Sequence, residues 1–324
     1  MLNKHQENSL INAENVLSGL LEQNYVGSRS KFLNFEDEAK GLPILIPADP
    51  TIFKFKDSDT FHIDDLELLD IYYGARDKTY TGFQHSFYTN DFLSKFEVLP
   101  KNASVYEDIR KANEESLRQI QELKSKYSLL AAFQTRNIPH FGHEAIIRTL
   151  LDHSDHVVVN PVIGPKKTGD LKLDGLEKVY NYIAQTKYNK NISFIPIRAM
   201  MFYAGPREAI HHAILRERLG FDLFTVGRDH AGADQFFNSA AAVKAIIKVQ
   251  HKIQIGILSH YGAVFCPSCQ DGVLIGKCCH DRDKMVDVSG SDFRQSIKNG
   301  NYYKFADYNM QLYLKNLTMD IFET

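Results

Sequence analysis

From Ser128 onward the chain alternates short apolar runs with longer amphipathic stretches. SLLAAF (128–133), HVVVNPVIG (156–164), ISFIPI (192–197), FDLFTVG (221–227) and IQIGIL (253–258) read as buried strands. Between them, GHEAIIRTLLDH (142–153), LDGLEKVYNYIAQ (173–185), PREAIHHAILRERLG (206–220) and ADQFFNSAAAVKAIIKV (233–249) read as helices, the third ended by Gly220. Strands alternating with helices predict βαβ units, hence a parallel sheet with right-handed crossovers. Ligands of such sheets sit at the carboxyl ends of the strands.

The first hundred residues carry a weaker pattern. GLPILIP (41–47), TIFKF (51–55) and ELLDIYY (67–73) suggest short strands separated by Pro and Gly, with Asp57 and Asp59 at a turn. A small β-rich domain is the expectation, its core filled by Phe53, Phe55, Tyr72, Tyr73 and other aromatics. VYEDIRKANEESLRQIQELKSK (105–126) predicts a polar connector helix with pairs such as Glu107 and Arg110. No internal repeat or low-complexity tract appears. The expected division is a β-rich region with its connector over 1–126, an α/β region over 127–262 and a smaller piece over 263–324. A length of 324 residues accommodates that.

Composition narrows the function classes. Apolar residues at 44% and charged residues at 24% are those of a globular chain. The 38 basic and 40 acidic side chains leave a net charge of −2, which gives no face for nucleic acid or an anionic membrane, so any anion site must be local. No apolar run is long enough to span a membrane, and the first residues lack the apolar core of a signal peptide. A cytoplasmic location is the expectation. All four cysteines fall between Cys266 and Cys279, whereas a disulfide framework would spread them out.

Candidate chemistry follows the strands. After 128–133 comes Gln134-Thr135-Arg136-Asn137-Ile138-Pro139-His140-Phe141-Gly142-His143. His140 and His143 stand at a helix start, where backbone N–H groups and the helix dipole favour phosphate. Imidazoles there can stabilise charge on a pentavalent phosphorus. Gln134 and Arg136 share one side of the strand end, and an amide with a planar guanidinium suits a tetrahedral oxyanion. Gly205-Pro206 opens the third helix. Gly227-Arg228-Asp229-His230-Ala231-Gly232 is a glycine-bracketed loop able to present N–H groups and a cation. Ser289, Ser291 and Arg294 precede or open a further helix, as a cap or as a phosphate loop. Taken singly, each of these is ordinary polar structure; three of them on one sheet edge are not.

The cysteines form two knuckles, Cys266-Pro-Ser-Cys269 and Cys278-Cys279-His280, which predict a tetrahedral structural zinc site in a hairpin. Its ligands would be Cys266, Cys269, either Cys278 or Cys279, and His280. Cys278 is preferred because Cys279 abuts His280.

These motifs, in this order, resemble ATP sulfurylase. QTRNIPHFGH is similar to that family's QxRNPxHxxH, and YAGPREAIHHAI, VGRDHAG, VSGSDFR and NPVIGPKKTGD are similar to further family segments. The resemblance covers roughly residues 128–295. Asn160 stands where the family often has a histidine, and Ile138-Pro139 reverses the family's order. The resemblance implies a nucleotidylyltransferase α/β domain after a PUA-like domain, with a zinc-ribbon-like hairpin. It implies direct transfer of adenylate from MgATP to sulfate, releasing pyrophosphate. His140, His143, Arg136, Asn137 and Arg228 would be catalytic, and Gln134, Arg136 and the Ala231 N–H would hold sulfate. Asn137, His140, His143, Gly205, Arg228, His230, Ser289 and Arg294 would surround the nucleotide. Implied cofactors are Mg2+ with ATP and structural Zn2+. Implied partners are ATP and sulfate, with no nucleic acid, no membrane and room for a homo-oligomer. The alternative is a related adenylyltransferase that uses a different oxyanion or small substrate. No GxxxxGK[ST] sequence occurs, so no fused kinase is expected.

Overall fold

The computed structural model describes residues 2–22, 28–74, 77–165, 171–228, 230, 236–317 and 321. Its centre is a five-stranded parallel sheet. Numbering only the strands of this sheet, β1 is Leu130–Phe133, β2 His156–Val159, β3 Ile192–Phe194, β4 Leu223–Val226 and β5 Gly256–Ser259. Their spatial order is β5-β4-β1-β2-β3, with all pairings parallel. The intervening helices are α1 Phe141–Leu151, α2 Leu173–Thr186, α3 Pro206–Leu219 and α4 Ala241–Val249. This is the doubly wound order, in which the chain reverses its direction of travel between β1 and β4 and leaves a crevice there.

Strand alternation divides the core in two. Leu130 and Ala132 of β1, Val158 of β2 and Phe224 of β4 point into one apolar cluster with α3, α4 and the N-terminal hundred residues. Ala131, Phe133, Val157 and Val159 point the other way, onto α1, α2 and the C-terminal residues Phe293, Tyr303 and Met310. Both faces of the sheet are therefore covered, as a parallel sheet requires.

Two expected strands are interrupted. Residues 156–164 split into β2 and Val162–Ile163, and residues 192–197 split into β3 and Ile197–Arg198. Pro161 and Pro196 lie at the breaks, and the outer pieces pair with each other in parallel. Proline has no N–H to give the ladder. The last helix is also shorter than its pattern: among the described residues it begins at Ala241.

The N-terminal region departs from the expected small β-rich domain. Its described strands are two short antiparallel ladders, Phe53–Lys54 with Glu97–Val98 and Thr60–His62 with Asp91–Leu93. Residues 41–47 are extended but make only the bridge Pro47–Phe92, since prolines interrupt them. Residues 67–73 are helical: Asp64 caps the turn by accepting from the N–H groups of Leu66 and Glu67, and Leu68, Leu69, Tyr72 and Tyr73 form one buried face. A helix at Lys4–Leu17 went unsignalled because its buried side includes Asn8, Asn12, Glu14 and Asn15 in place of apolar residues. Of these, Glu14 and Asn15 meet the long helix Ala103–Lys124. Asn113 donates to Glu14 Oε2 at 2.6 Å and to Asn15 Oδ1 at 3.0 Å, and Ser116 donates to the Pro196 carbonyl at 2.7 Å. The polar helix is thus docked along one face, beyond the role of a solvated connector. Among the described residues, no helix is long and apolar enough to cross a membrane.

Candidate active site at the sheet switch point

The crevice between the carboxyl ends of β1 and β4 is a cleft of ≈ 300 Å3. Gln134, Arg136, Asn137, His143, Arg228 and His230 line it together. Parallel strands deliver these loops to one edge although almost a hundred residues separate Gln134 from His230. Arg136 donates to the Tyr203 hydroxyl at 3.2 Å. Gln134, Arg136, Met201 and Tyr203 also wall a smaller recess of ≈ 70 Å3, which Asn8 and His85 close from the N-terminal region.

His140 is the N-cap of α1. Its Nδ1 accepts from the Gly142 N–H at 3.1 Å, and the His140 N–H donates to His143 Nδ1 at 3.4 Å. Both rings therefore carry their proton on Nε2 when neutral. The rings lie 3.9 Å apart between centroids. Burial pushes the His140 pKa down to about 4, and burial together with neighbouring His140 holds His143 well below the ordinary histidine value. The pair consists of neutral donors at pH 7. His140 stands behind His143 and is not among the residues that line the cleft.

His230 is also kept neutral, by burial first and then by His212 and Arg216. Its Nε2 lies 3.1 Å from His212 Nδ1. His212 Nε2 is 3.1 Å from Glu208 Oε1, a close electrostatic contact without good hydrogen-bond alignment. The Glu208 carboxylate accepts from the N–H groups of Phe202 and Ala204 at 3.1 and 3.0 Å, which fixes the turn that carries Tyr203.

The remaining expected residues stand further back. Gly205 does not line the cleft; it makes the turn before α3 at φ 58, and a Cβ there would fall 2.3 Å from the Phe237 ring. Ser289 caps the helix Gly290–Lys298 by accepting from the Asp292 N–H at 3.3 Å. Arg294 of that helix donates to Asn137 Oδ1, so the serine loop acts on the cleft through Asn137. Ala231 lies outside the described residues.

His260 belongs to the cleft wall and was not singled out in the sequence. It follows β5, its Nδ1 accepts from the Gly262 N–H at 3.2 Å, and burial lowers its pKa to about 4. The same strand-end rule that selected His230 would have found it. Arg216 was also missed. The spacing of Glu208, His212 and Arg216 at four-residue intervals was the available signal of a polar inner face on α3.

The cysteine knuckles lie on a three-stranded antiparallel sheet of Ala263–Cys266, Asp271–Leu274 and Val286–Asp287. Cys266, Cys269, Cys278 and His280 have their ligand atoms within 4.8 Å of one another and could hold a metal ion. Sulfur–sulfur separations are 3.7 and 3.8 Å, and sulfur to His280 Nδ1 separations are 3.3 to 3.5 Å. A tetrahedral zinc with bonds of about 2.3 Å to sulfur and about 2.0 Å to nitrogen would place its ligands about 3.5–3.8 Å apart. The donor set fits zinc. Cys279 is exposed and outside the cluster. The hairpin packs on the start of α1: a Cβ on Gly272 would lie 2.0 Å from the Phe141 carbonyl, and Arg148 donates to the Gly272 carbonyl at 2.9 Å.

A doubly wound sheet with converging anion donors at its switch point defines an α/β protein with a candidate nucleotide or oxyanion cleft. The model of the ATP-sulfurylase family matches residues 107–303, and the chain belongs to that family. It is 38% identical over 172 residues to a sulfate adenylyltransferase of Ignicoccus hospitalis, a match covering 53% of this chain and 45% of that one. It is 37% identical over 177 residues to a sulfate adenylyltransferase of Pyrococcus abyssi, covering 54% and 46%. The chain thus matches about half the length of these curated relatives. Among solved structures it resembles a hexameric APS kinase from Thiobacillus denitrificans with a TM-score of 0.61 and 14% identity, covering 96% of this chain and 62% of that one. That likeness concerns the fold alone.

Proposed function

We propose that the chain transfers adenylate from MgATP to sulfate, giving adenosine 5′-phosphosulfate and pyrophosphate. The observation that carries this reading is the meeting of Gln134 and Arg136 with His143, Arg228 and His230 in one cleft. The cleft suits the nucleotide, and Gln134 and Arg136 on its wall suit a tetrahedral oxyanion beside it.

In this nucleotidylyltransferase reaction a sulfate oxygen attacks the α-phosphorus in line. A phosphorus–oxygen bond forms, the bond from that phosphorus to the bridging oxygen breaks, and pyrophosphate leaves with the bond electrons. Arg136 and Gln134 hold and orient sulfate, with the Ala231 N–H as a third donor. His143 offers Nε2–H to the phosphates, with His140 packed behind it; being neutral, His143 stabilises developing charge without needing to lose a proton. Asn137, held by Arg294, and the Arg228 side chain orient the nucleotide. Magnesium arrives on ATP as part of the substrate. Zinc, when bound by Cys266, Cys269, Cys278 and His280, closes the hairpin; four protein ligands leave it no open position for substrate.

Pyrophosphate release tests the reading. It should require ATP and sulfate together. Release that depends on another oxyanion and ignores sulfate would replace sulfate with that anion as the substrate.

A further inference from the structure

Arg216 is fully buried on α3, yet the reaction as derived above does not use it. Its Nε donates to Asn160 Oδ1 at 3.0 Å, and its Nη2 donates to the Asn160 carbonyl at 2.7 Å and to Gln134 Oε1. Asn160, also fully buried, is fixed in turn by donating to the Ile195 carbonyl at 2.6 Å. The guanidinium stands over the Phe224 ring at 5.3 Å. It therefore has almost no freedom to move.

A guanidinium has donors and no acceptor, so the Gln134 atom it meets must be the carbonyl oxygen. That settles which way the amide faces. Its Nε2 is left toward the cleft side, where its one described contact is the Met201 sulfur at 3.7 Å, a weak acceptor. We propose that Arg216, braced by Asn160, is a positioning residue that locks Gln134 as a pure donor and thereby favours oxyanions that carry no proton.

The chemistry of the anions gives this consequence. Sulfate at neutral pH accepts hydrogen bonds at every oxygen, whereas hydrogen phosphate carries one O–H that needs an acceptor. A free glutamine could turn its carbonyl to that O–H; Gln134 held by Arg216 cannot. A buried donor facing another donor costs about 1–3 kcal/mol, roughly a five- to 150-fold discrimination. The inference rests on the oxyanion role proposed for Gln134, and its test reads binding as well as turnover.

Monofluorophosphate and phosphate are the probes, because near pH 8 both are chiefly dianions of similar shape and only phosphate retains an O–H. Their competition with sulfate would be measured with the wild-type chain, and their stabilisation of the chain in thermal melts with the α,β-methylene analogue of ATP present. Monofluorophosphate should bind at least fivefold more tightly than phosphate. In Arg216→Met that preference should fall at least fivefold and the KM for sulfate should rise at least tenfold, with the KM for ATP changed less than threefold. Arg216→Lys, which retains one donor to Gln134 Oε1, should recover part of the preference. Equal binding of the two anions to wild type, or an unchanged preference in a folded Arg216 variant, would overturn the proposal. If Arg216→Met does not fold, Asn160→Ala carries the same expectation at smaller size through loss of the brace. Anion binding with no sulfate-dependent turnover would count against the sulfate reading and leave the preference test intact.

Discussion

The cleft and the cysteine knuckle both use histidine, and they use it in opposite ways. In the knuckle, four donors come from 15 residues of chain, and His280 and Cys269 are exposed. A metal held there would assemble the site, because thiolates crowded at 3.7–3.8 Å need a cation between them. In and behind the cleft, His140, His143, His230 and His260 are buried, and burial holds them neutral in the chain by itself. The fold builds that site in advance. A local site can thus tolerate exposure, whereas a site meant to stabilise transient charge must exclude water and fix its donors beforehand.

Breaking the preassembled side of this comparison should have the largest effect. His143→Ala removes one such donor and should lower turnover by about 10²–10³, with the KM for ATP changed far less. Steady-state kinetics with ATP varied checks this; near-normal turnover would remove His143 from the chemistry. Arg136→Lys comes next. Lysine cannot reproduce the planar fork, so the KM for sulfate should rise about 10- to 100-fold while ATP binding stays nearly intact. Titration of each substrate separates the two.

The assembled side is broken by Cys269→Ser. Zinc content, read by elemental analysis, should drop from about one equivalent per chain to a small fraction. The hairpin contact of Gly272 with α1 should loosen, and turnover should fall less than tenfold, since the cleft donors keep their own supports. A loss of activity as deep as that of His143→Ala would erase the distinction between the two sites.

The smallest effect is thermal and follows from the buried neutral rings. With folded pKa values near 4 for His140 and His260 and near 3 for His211, against 6.5 unfolded, the unfolded chain binds more protons as pH falls below 6.5. Their contribution to stability is fully present above that value and is lost progressively toward pH 4. Each costs about 1.4 kcal/mol by pH 5.5. Glu14, raised to about 7 by burial, and Glu208, also raised by burial, act in the opposite sense but are outnumbered. Melting temperature should fall on the order of 5–10 °C between pH 7.5 and 5.5, as read by calorimetry. A flat profile would mean that these rings are solvated.

How far the sequence announced each region follows the same physics. The α/β half was legible because its strands are continuous apolar runs with chemistry stacked at their ends, so β1 and β4 pointed to Gln134, Arg136 and Arg228. The knuckle was legible because its ligands are neighbours in the chain. The N-terminal region was not. Its first helix buries Asn12, Glu14 and Asn15 against partners that appear only in three dimensions, such as Met200 and Asn113. Arg216 escaped notice for the same reason: a charge that looks solvated in sequence is satisfied by Asn160, 56 residues away.

Joining adenylate to sulfate in the switch-point cleft can be followed in either direction. The forward reaction makes a phosphosulfate anhydride and is uphill, so the reverse direction is the more direct reading. Wild-type chain given adenosine 5′-phosphosulfate, pyrophosphate and magnesium should produce ATP, and His143→Ala should produce it at least a hundredfold more slowly. Absence of ATP from the wild-type chain under those conditions would contradict the account.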